Sequence, residues 1–288
     1  MPFGRIIVPA TGTRLLDRKL EGALSVARYF GSSIEILFIR GTVDPQTVEH
    51  NACFGEPAWE MAEIKWADDE PNRDEVEAYS RKWLDERHVP EWKPAQSSRP
   101  SFRFIDIGGP YKIALEEHGR TSDLIVIGQP GREMAKLEAE INKLSVTESG
   151  RTVLLVPNAH KPSELLLKRA MIAWDGGIHA SRLVALAMPL LQAAGGVTVY
   201  SAGSGAEFRR KHDLIQRYLE RNNISADYVV ERHASSRIGN YLLEAGDRYG
   251  VSLLCMGAYE NPRTVERLIG GNTRYVYFRS GIPVLFSF

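Results

Sequence analysis

Two groups of residues in the second half of the chain have the types and spacing to hold an anion. Gly257 ends the apolar run Leu253-Leu254-Cys255-Met256, and Gly270-Gly271-Asn272-Thr273 precedes a stretch, Arg274 to Arg279, that can form a short helix. Glycines at a strand end and at a helix start let backbone amides approach an anion closely, and the helix dipole favours negative charge there. The pattern outlines a phosphate cradle. Upstream, Trp174-Asp175-Gly176-Gly177 follows another apolar run. A carboxylate at a strand end can accept a hydrogen bond from an exocyclic amine while neighbouring amides read the ring edge. Asp-Gly is also a plain turn former, so Asp175 carries a binding reading only because the glycine loop lies downstream in register.

Other chemistry finds little support. The chain has no Gly-x4-Gly-Lys-[Ser/Thr] loop, no Gly-x-Ser-x-Gly elbow and no paired histidines at metal spacing. Ser201-Ala202-Gly203-Ser204-Gly205 is similar to a pyrophosphatase-type loop but follows a second strand instead of a first. His179, His212 and His233 lie in polar stretches and read as surface residues. Of the two cysteines, Cys255 reads as a buried strand residue, and neither it nor Cys53 sits in a metal-ligand or CxxC pattern. No catalytic residue and no metal site is expected.

These residues are positioned by an alternation that occurs twice. In the first half, Arg5 to Pro9, Ile34 to Ile39, Phe102 to Ile107, Leu124 to Ile127 and Thr152 to Val156 read as strands. Leu16, Leu20, Leu24 and Ala27 share one helical face that Gly31 terminates. Further helices are expected at Tyr111 to His118 and from about residue 131 to Glu148. Between about 42 and 100 the rhythm breaks into a proline-rich insert that carries Trp59, Trp66, Trp83 and Trp92, with one helix expected from Asn72 to Glu86. It reads either as an elaborated connection whose tryptophans cap the core or as an aromatic lid or partner surface. Pro157 to Pro162 links to the second half. There, strands are expected at Ala170 to Trp174, Val197 to Ser201, Ala226 to Glu231, Ser252 to Met256 and Pro283 to Ser287. The expected domains are 1–158 and 163–288. Each is α/β, a doubly wound five-stranded parallel sheet of Rossmann-like type with strand order 3-2-1-4-5, and the two pack as an intrachain pseudo-dimer. The binding crevice of such a sheet lies at the carboxyl ends of its first and fourth strands, where Asp175 and Gly257 fall.

The chain of 288 residues is 43% hydrophobic and 25% charged with a formal net charge of zero. Nothing in that balance argues for a nucleic-acid face, and no apolar run approaches a membrane span. The expected location is cytoplasmic.

Gly257, Gly270 and Gly271 resemble the first and last glycines of the Gly-x2-Gly-x9-Gly-[Ser/Thr/Asn] nucleotide loop of the universal stress protein family. Gly281-Ile282-Pro283-Val284-Leu285 is similar to that family's last strand, and residues 150–157 to the end of its first repeat in tandem members. The resemblance implies a regulatory, non-catalytic stress-response protein that holds ATP or another adenine nucleotide in its second half, with Mg as the companion of the phosphates. It implies that Ala173 and Asp175 hold the base edge, Ala202 lines the adenine and ribose site, and Met256 and Gly257 lie under the nucleotide. Gly270, Gly271, Asn272 and Thr273 would hold phosphates. Two departures stand out: Glu260 replaces the motif's second glycine and puts a negative side chain in the loop, and Gly271 replaces a hydroxyl residue. In the first half Thr11 takes the place of Asp175 and no glycine pair precedes the last helix, so that half is expected to be structural. The alternatives are a nucleotide-independent scaffold of the same fold and a very slow ATPase. A protein partner is expected but unidentified, and the chain is expected as a monomer with an internal pseudo-dimer or as a homodimer.

Overall fold

The computed structural model describes residues 3–42, 72–93, 99–131, 136–158, 166–203, 206–232, 237–258 and 271–287. Its first element is β1 (Arg5–Ala10), followed by α1 (Leu16–Phe30) and β2 (Ser33–Thr42). Leu16, Leu20, Leu24 and Ala27 of α1 are fully buried, as their spacing predicts. Gly31 ends the helix in the left-handed region (φ 66°), donating its N–H to the Ala27 carbonyl at 2.8 Å. α2 (Arg73–Asp85) is capped by Asn72, whose side-chain oxygen accepts from the amides of Asp74 and Glu75 at 3.0 and 3.4 Å. Val76, Trp83 and Leu84 turn its apolar face into the core, while Trp92 is exposed. Trp59 and Trp66 lie outside the described residues.

β3 (Ser101–Pro110) runs through the expected Gly108-Gly109-Pro110 turn, because β2 also continues and Arg40, Gly41 and Thr42 pair with those three residues. Pro110 is tolerated because β3 is an edge strand, where a missing N–H need not break a ladder. There follow α3 (Tyr111–Arg120), β4 (Leu124–Gly128), α4 (Lys136–Thr147) and β5 (Thr152–Val156). The second repeat is β6 (Ala170–Ala173), α5 (Ile178–Ala193), β7 (Val197–Ala202), α6 (Ala206–Arg221), β8 (Ala226–Glu231), α7 (Ile238–Arg248), β9 (Leu253–Gly257), α8 (Gly271–Arg279) and β10 (Val284–Ser287). No helix among the described residues is long and apolar enough to cross a membrane.

The chain folds as two compact units. Phe3–Ile125 with Met134–Ser149 forms the first, and Val126–Glu133 with Gly150–Phe288 the second. The first carries the parallel order β3-β2-β1-β4. In the second, β8-β7-β6-β9-β10 is parallel and repeats the expected 3-2-1-4-5 order.

β5 stands beside β4 in the strand order, which completes 3-2-1-4-5 in the first repeat, and its other edge pairs antiparallel with β10, with Val284 opposite Leu155 and Phe286 opposite Val153. All five β5 residues are buried. Such a strand has no solvent face to offer, and its pairing covers a row of β10 backbone groups that would otherwise form an open edge. Gln129 fixes the same region. Its amide donates to the Val156 carbonyl at 2.8 Å, and its side-chain Nε2 donates to the Ser280 and Tyr277 carbonyls at 2.9 and 3.3 Å. Those carbonyls are among the ones that the end of α8 leaves without helical partners.

Candidate functional site

At the carboxyl ends of β6, β7 and β9, Ala173 stands opposite both Tyr200 and Met256 in the strand register. The chain then turns out of the sheet. Gly176 takes a left-handed conformation (φ 74°), which favours glycine, while a Cβ there would meet the Lys211 Cδ at 2.6 Å and displace that flexible side chain. Asp175 Oδ1 accepts from the Gly177 amide at 2.7 Å, which closes the turn and directs the chain into α5.

A cavity of about 280 Å³ opens over these strand ends. It brings together eight of the nine residues expected from sequence: Ala173, Asp175, Ala202, Met256, Gly257, Gly271, Asn272 and Thr273. The ninth, Gly270, lies outside the described residues, as do Glu260, Arg263 and His233. Sequence reasoning missed several of its walls. Trp174 and Tyr200 line it from the strands, His179 from the start of α5, and Ile238 and Leu242 from α7. The last two were legible as an i, i+4 pair at a helix start.

Three of the expected ligand contacts have structural work of their own. A Cβ on Gly257 would lie 2.7 Å from the His179 carbonyl carbon and 2.8 Å from the Ala180 nitrogen, so this glycine lets the first turn of α5 rest on the end of β9. Asn272 Oδ1 accepts from the Gly239 amide at 3.1 Å, supplying an acceptor to one of the N–H groups that the start of α7 leaves over. Asp175 holds its own turn through one oxygen. Gly271 is different: among the described residues nothing approaches within 4 Å of where its Cβ would be.

The charges beneath the cavity are settled internally. The Tyr200 hydroxyl donates to Glu231 Oε2 at 3.0 Å, and burial, reinforced by that carboxylate, raises its pKa far above the ordinary value. Glu231 is also held by Arg248 at 2.6 Å. The expectation that His212 is a surface residue is corrected: it is 7% exposed, on the same face of α6 as the buried Ile215 and Leu219. That 212-215-219 spacing was the signal. Its Nε2 lies 2.6 Å from the Ser201 Oγ, and Ser201 in turn donates to the Trp174 carbonyl. With the serine proton committed to the backbone, His212 is the donor of the pair, which is the reverse of a base activating a nucleophile. Burial pushes the His212 pKa down. The Cys255 thiol is pushed up to about 12 by complete burial, in keeping with a core strand residue. Among the described residues no three His, Cys, Asp or Glu side chains are grouped to hold a metal ion.

The matching region of the first repeat is built differently. At the end of β1, Lys19 Nζ donates to the Pro9 carbonyl at 2.9 Å and to Glu138 Oε1 at 3.1 Å, with both side chains buried. Glu138 stands as far before β5 as Gly270 stands before β10. Where the second repeat has the glycine of its loop, the first has a buried carboxylate with its own cation.

No family model and no curated protein matches the sequence. Solved structures do match. A universal stress protein from Archaeoglobus fulgidus DSM 4304 superposes with a TM-score of 0.66 at 13% identity, covering 100% of this chain and 99% of that one. A putative universal stress protein from Pseudomonas aeruginosa UCBPP-PA14 follows with a TM-score of 0.56 at 12% identity, over 99% and 93% of the two chains. The fold is that of a universal stress protein. The cytoplasmic domain of a prokaryotic cation chloride cotransporter shares it, with a TM-score of 0.54 at 13% identity over 99% of this chain and 95% of that one. Among the described residues, the second repeat has a cavity over its strand ends and the first has a buried ion pair at the end of β1.

Proposed function

We propose that the protein is a regulatory, non-catalytic member of the universal stress protein family that binds an adenine nucleotide in its second repeat. The observation that carries this reading is the cavity over β6, β7 and β9, because its lining combines chemistry for each part of such a ligand. Trp174, Ile238, Leu242 and Met256 offer apolar surface to a base. The second oxygen of Asp175 remains to accept from an exocyclic amine. The amides that open α8, which line the cavity with no described residue within 4 Å of a Cβ at Gly271, suit phosphate oxygens. A magnesium ion, with no protein ligand set among the described residues, would be held by the phosphates themselves.

The test is to denature freshly purified protein, identify any released molecule by mass spectrometry, and titrate the emptied protein with ATP, ADP and AMP. Stoichiometric nucleotide, or binding that Asp175→Ala weakens about tenfold, supports the proposal. An Asp175→Ala variant with unchanged affinity sinks the site assignment. A scaffold that binds no nucleotide is the second reading. It is favoured by the structural duties of Gly257, Asn272 and Asp175, which account for those residues without a ligand, and by the occurrence of the same fold in a transporter's cytoplasmic domain. An empty protein that takes up no added nucleotide would establish it.

A further inference from the structure

A different cavity, of about 390 Å³, is built wholly within the first unit. Three arginines and a histidine reach it from three segments. Arg28 comes from the last turn of α1, Arg87 and His88 from the turn after α2, and Arg99 from the approach to β3. Leu24, Val89 and the prolines at 90 and 100 supply an apolar wall.

The end of α2 sets the geometry. His88 adopts a left-handed conformation (φ 56°), uncommon for a residue with a side chain, and the Val89 amide returns to the Leu84 carbonyl at 3.0 Å. Arg87 is held there. Its guanidinium lies 3.6 Å over the Trp83 ring, its NH1 donates to the Trp83 carbonyl at 3.0 Å, and its Nε is 3.5 Å from Glu21 Oε2. Arg28 and Arg99 are exposed and have no ion-pair partner among the described residues.

Structural duty accounts for part of this charge. Arg28 and Arg87 sit at helix carboxyl ends, each equivalent to about half a negative charge, and Glu21 and Glu86 lie within 3.5 and 3.8 Å of Arg87. Those neighbours offset Arg87 and soften Arg28. Arg99 lies on no helix, and it lines one concave surface with Arg28, so that two planar forks of N–H donors are brought together with no ion-pair partner among the described residues. Paired forks match the tetrahedral oxygens of phosphate, which accept two parallel hydrogen bonds from each guanidinium.

We propose that this cavity binds a small phosphate-bearing anion with Arg28 and Arg99 as its direct donors, Arg87 being the fixed cation that sets its field. The site is independent of the second-repeat cavity and stands whether or not that one binds nucleotide.

The experiment is calorimetric titration of the full-length protein with inorganic pyrophosphate, with citrate as a carboxylate of comparable charge. Wild type is expected to bind pyrophosphate, and Arg28→Gln and Arg99→Gln each to weaken it about tenfold. Arg28→Lys with Arg99→Lys keeps the charge and removes the forks, and is expected to recover only part of the affinity. Glu21→Gln is expected to tighten binding, since it removes the carboxylate beside Arg87. Thermal unfolding of each variant checks that these surface changes leave the fold intact. The proposal is overturned if pyrophosphate does not bind at millimolar concentration, if the double glutamine variant binds it as wild type does, or if citrate binds equally well with the same dependence on the two arginines.

Discussion

Replacing Glu138 by leucine leaves the Lys19 ammonium inside the first unit with its hydrogen bond to the Pro9 carbonyl but without the counter-charge that stood at 3.1 Å. Removing one member of a buried ion pair costs about 3–5 kcal/mol, because the remaining charge keeps its desolvation penalty and loses its compensation. With both side chains almost fully enclosed, the lower figure of about 3 kcal/mol is expected for Glu138→Leu, and a similar loss for Lys19→Met. The double variant is a different case: an apolar pair of similar volume is neutral or stabilising by about 1 kcal/mol. The coupling between the two changes is therefore about 6 kcal/mol, far above the roughly 0.5 kcal/mol of independent sites. Urea unfolding followed by tryptophan fluorescence reads this directly. With a slope of about 2 kcal/mol per molar urea, each single variant moves the midpoint of the first unit's transition down by about 1.5 M while the double variant returns it to wild type or beyond. Single variants within about 0.3 M of wild type, or a double variant as unstable as the worse single, would refute the account of this pair as a sealed internal salt bridge.

Gly257→Ala is expected to cost about 1–3 kcal/mol in the absence of any ligand, because its Cβ meets the α5 backbone and helix backbone cannot step aside cheaply; unfolding of nucleotide-free protein measures it. Gln129→Leu removes the donor to the Ser280 and Tyr277 carbonyls and the acceptor of the Asn158 amide, and is expected to cost about 1–3 kcal/mol in the second unit's transition. His212 is held below its ordinary value of 6.5 mainly by burial, with Asp213 opposing. The unfolded chain therefore takes a proton near pH 6.5 that the folded chain refuses. Stability is full above that pH and falls below it, toward the folded value, with a slope of up to about 1.4 kcal/mol per pH unit. Urea midpoints between pH 7.5 and 5.5 show this, and His212→Gln flattens the profile. His118, lowered by burial and then by the charge of Arg5, contributes in the same direction and remains in that variant.

The elements were legible because most are set by short-range patterns. The α1 stripe with its terminal Gly31 and the apolar runs of β4, β5 and β9 follow from the spacing of side chains alone. The position of the second-repeat cavity followed from strand order, since the first and fourth strands of a doubly wound sheet must flank it. What escaped depended on partners remote in sequence. Nothing around Gln129 signals that its carboxamide reaches across 148 and 151 residues to the end of α8. The alternation of β5 gives no hint of an antiparallel neighbour, because a strand buried on both faces reads the same in either direction. His212 was misread because the polarity of its neighbours outweighed a helical spacing that should have decided it. Gly257 was read as room for a ligand, whereas the α5 backbone already occupies the space a side chain would need.

The place of β5 means that the segment which was copied is not the segment which folds. A fragment beginning at the second repeat, near residue 163, contains every residue of the candidate site but neither β5 nor Gln129. It would present Val284 to Phe286 as a bare strand and remove the Gln129 donor from the Ser280 and Tyr277 carbonyls. Such an edge recruits whatever strand is at hand, and the nearest is another copy of the same fragment. Dissection at the repeat boundary therefore yields a self-associating species, and a cut that keeps 126–133 and 150–158 with the second repeat follows the folded unit. The last strand of the first repeat is thus the strand that closes the β10 edge of the second unit.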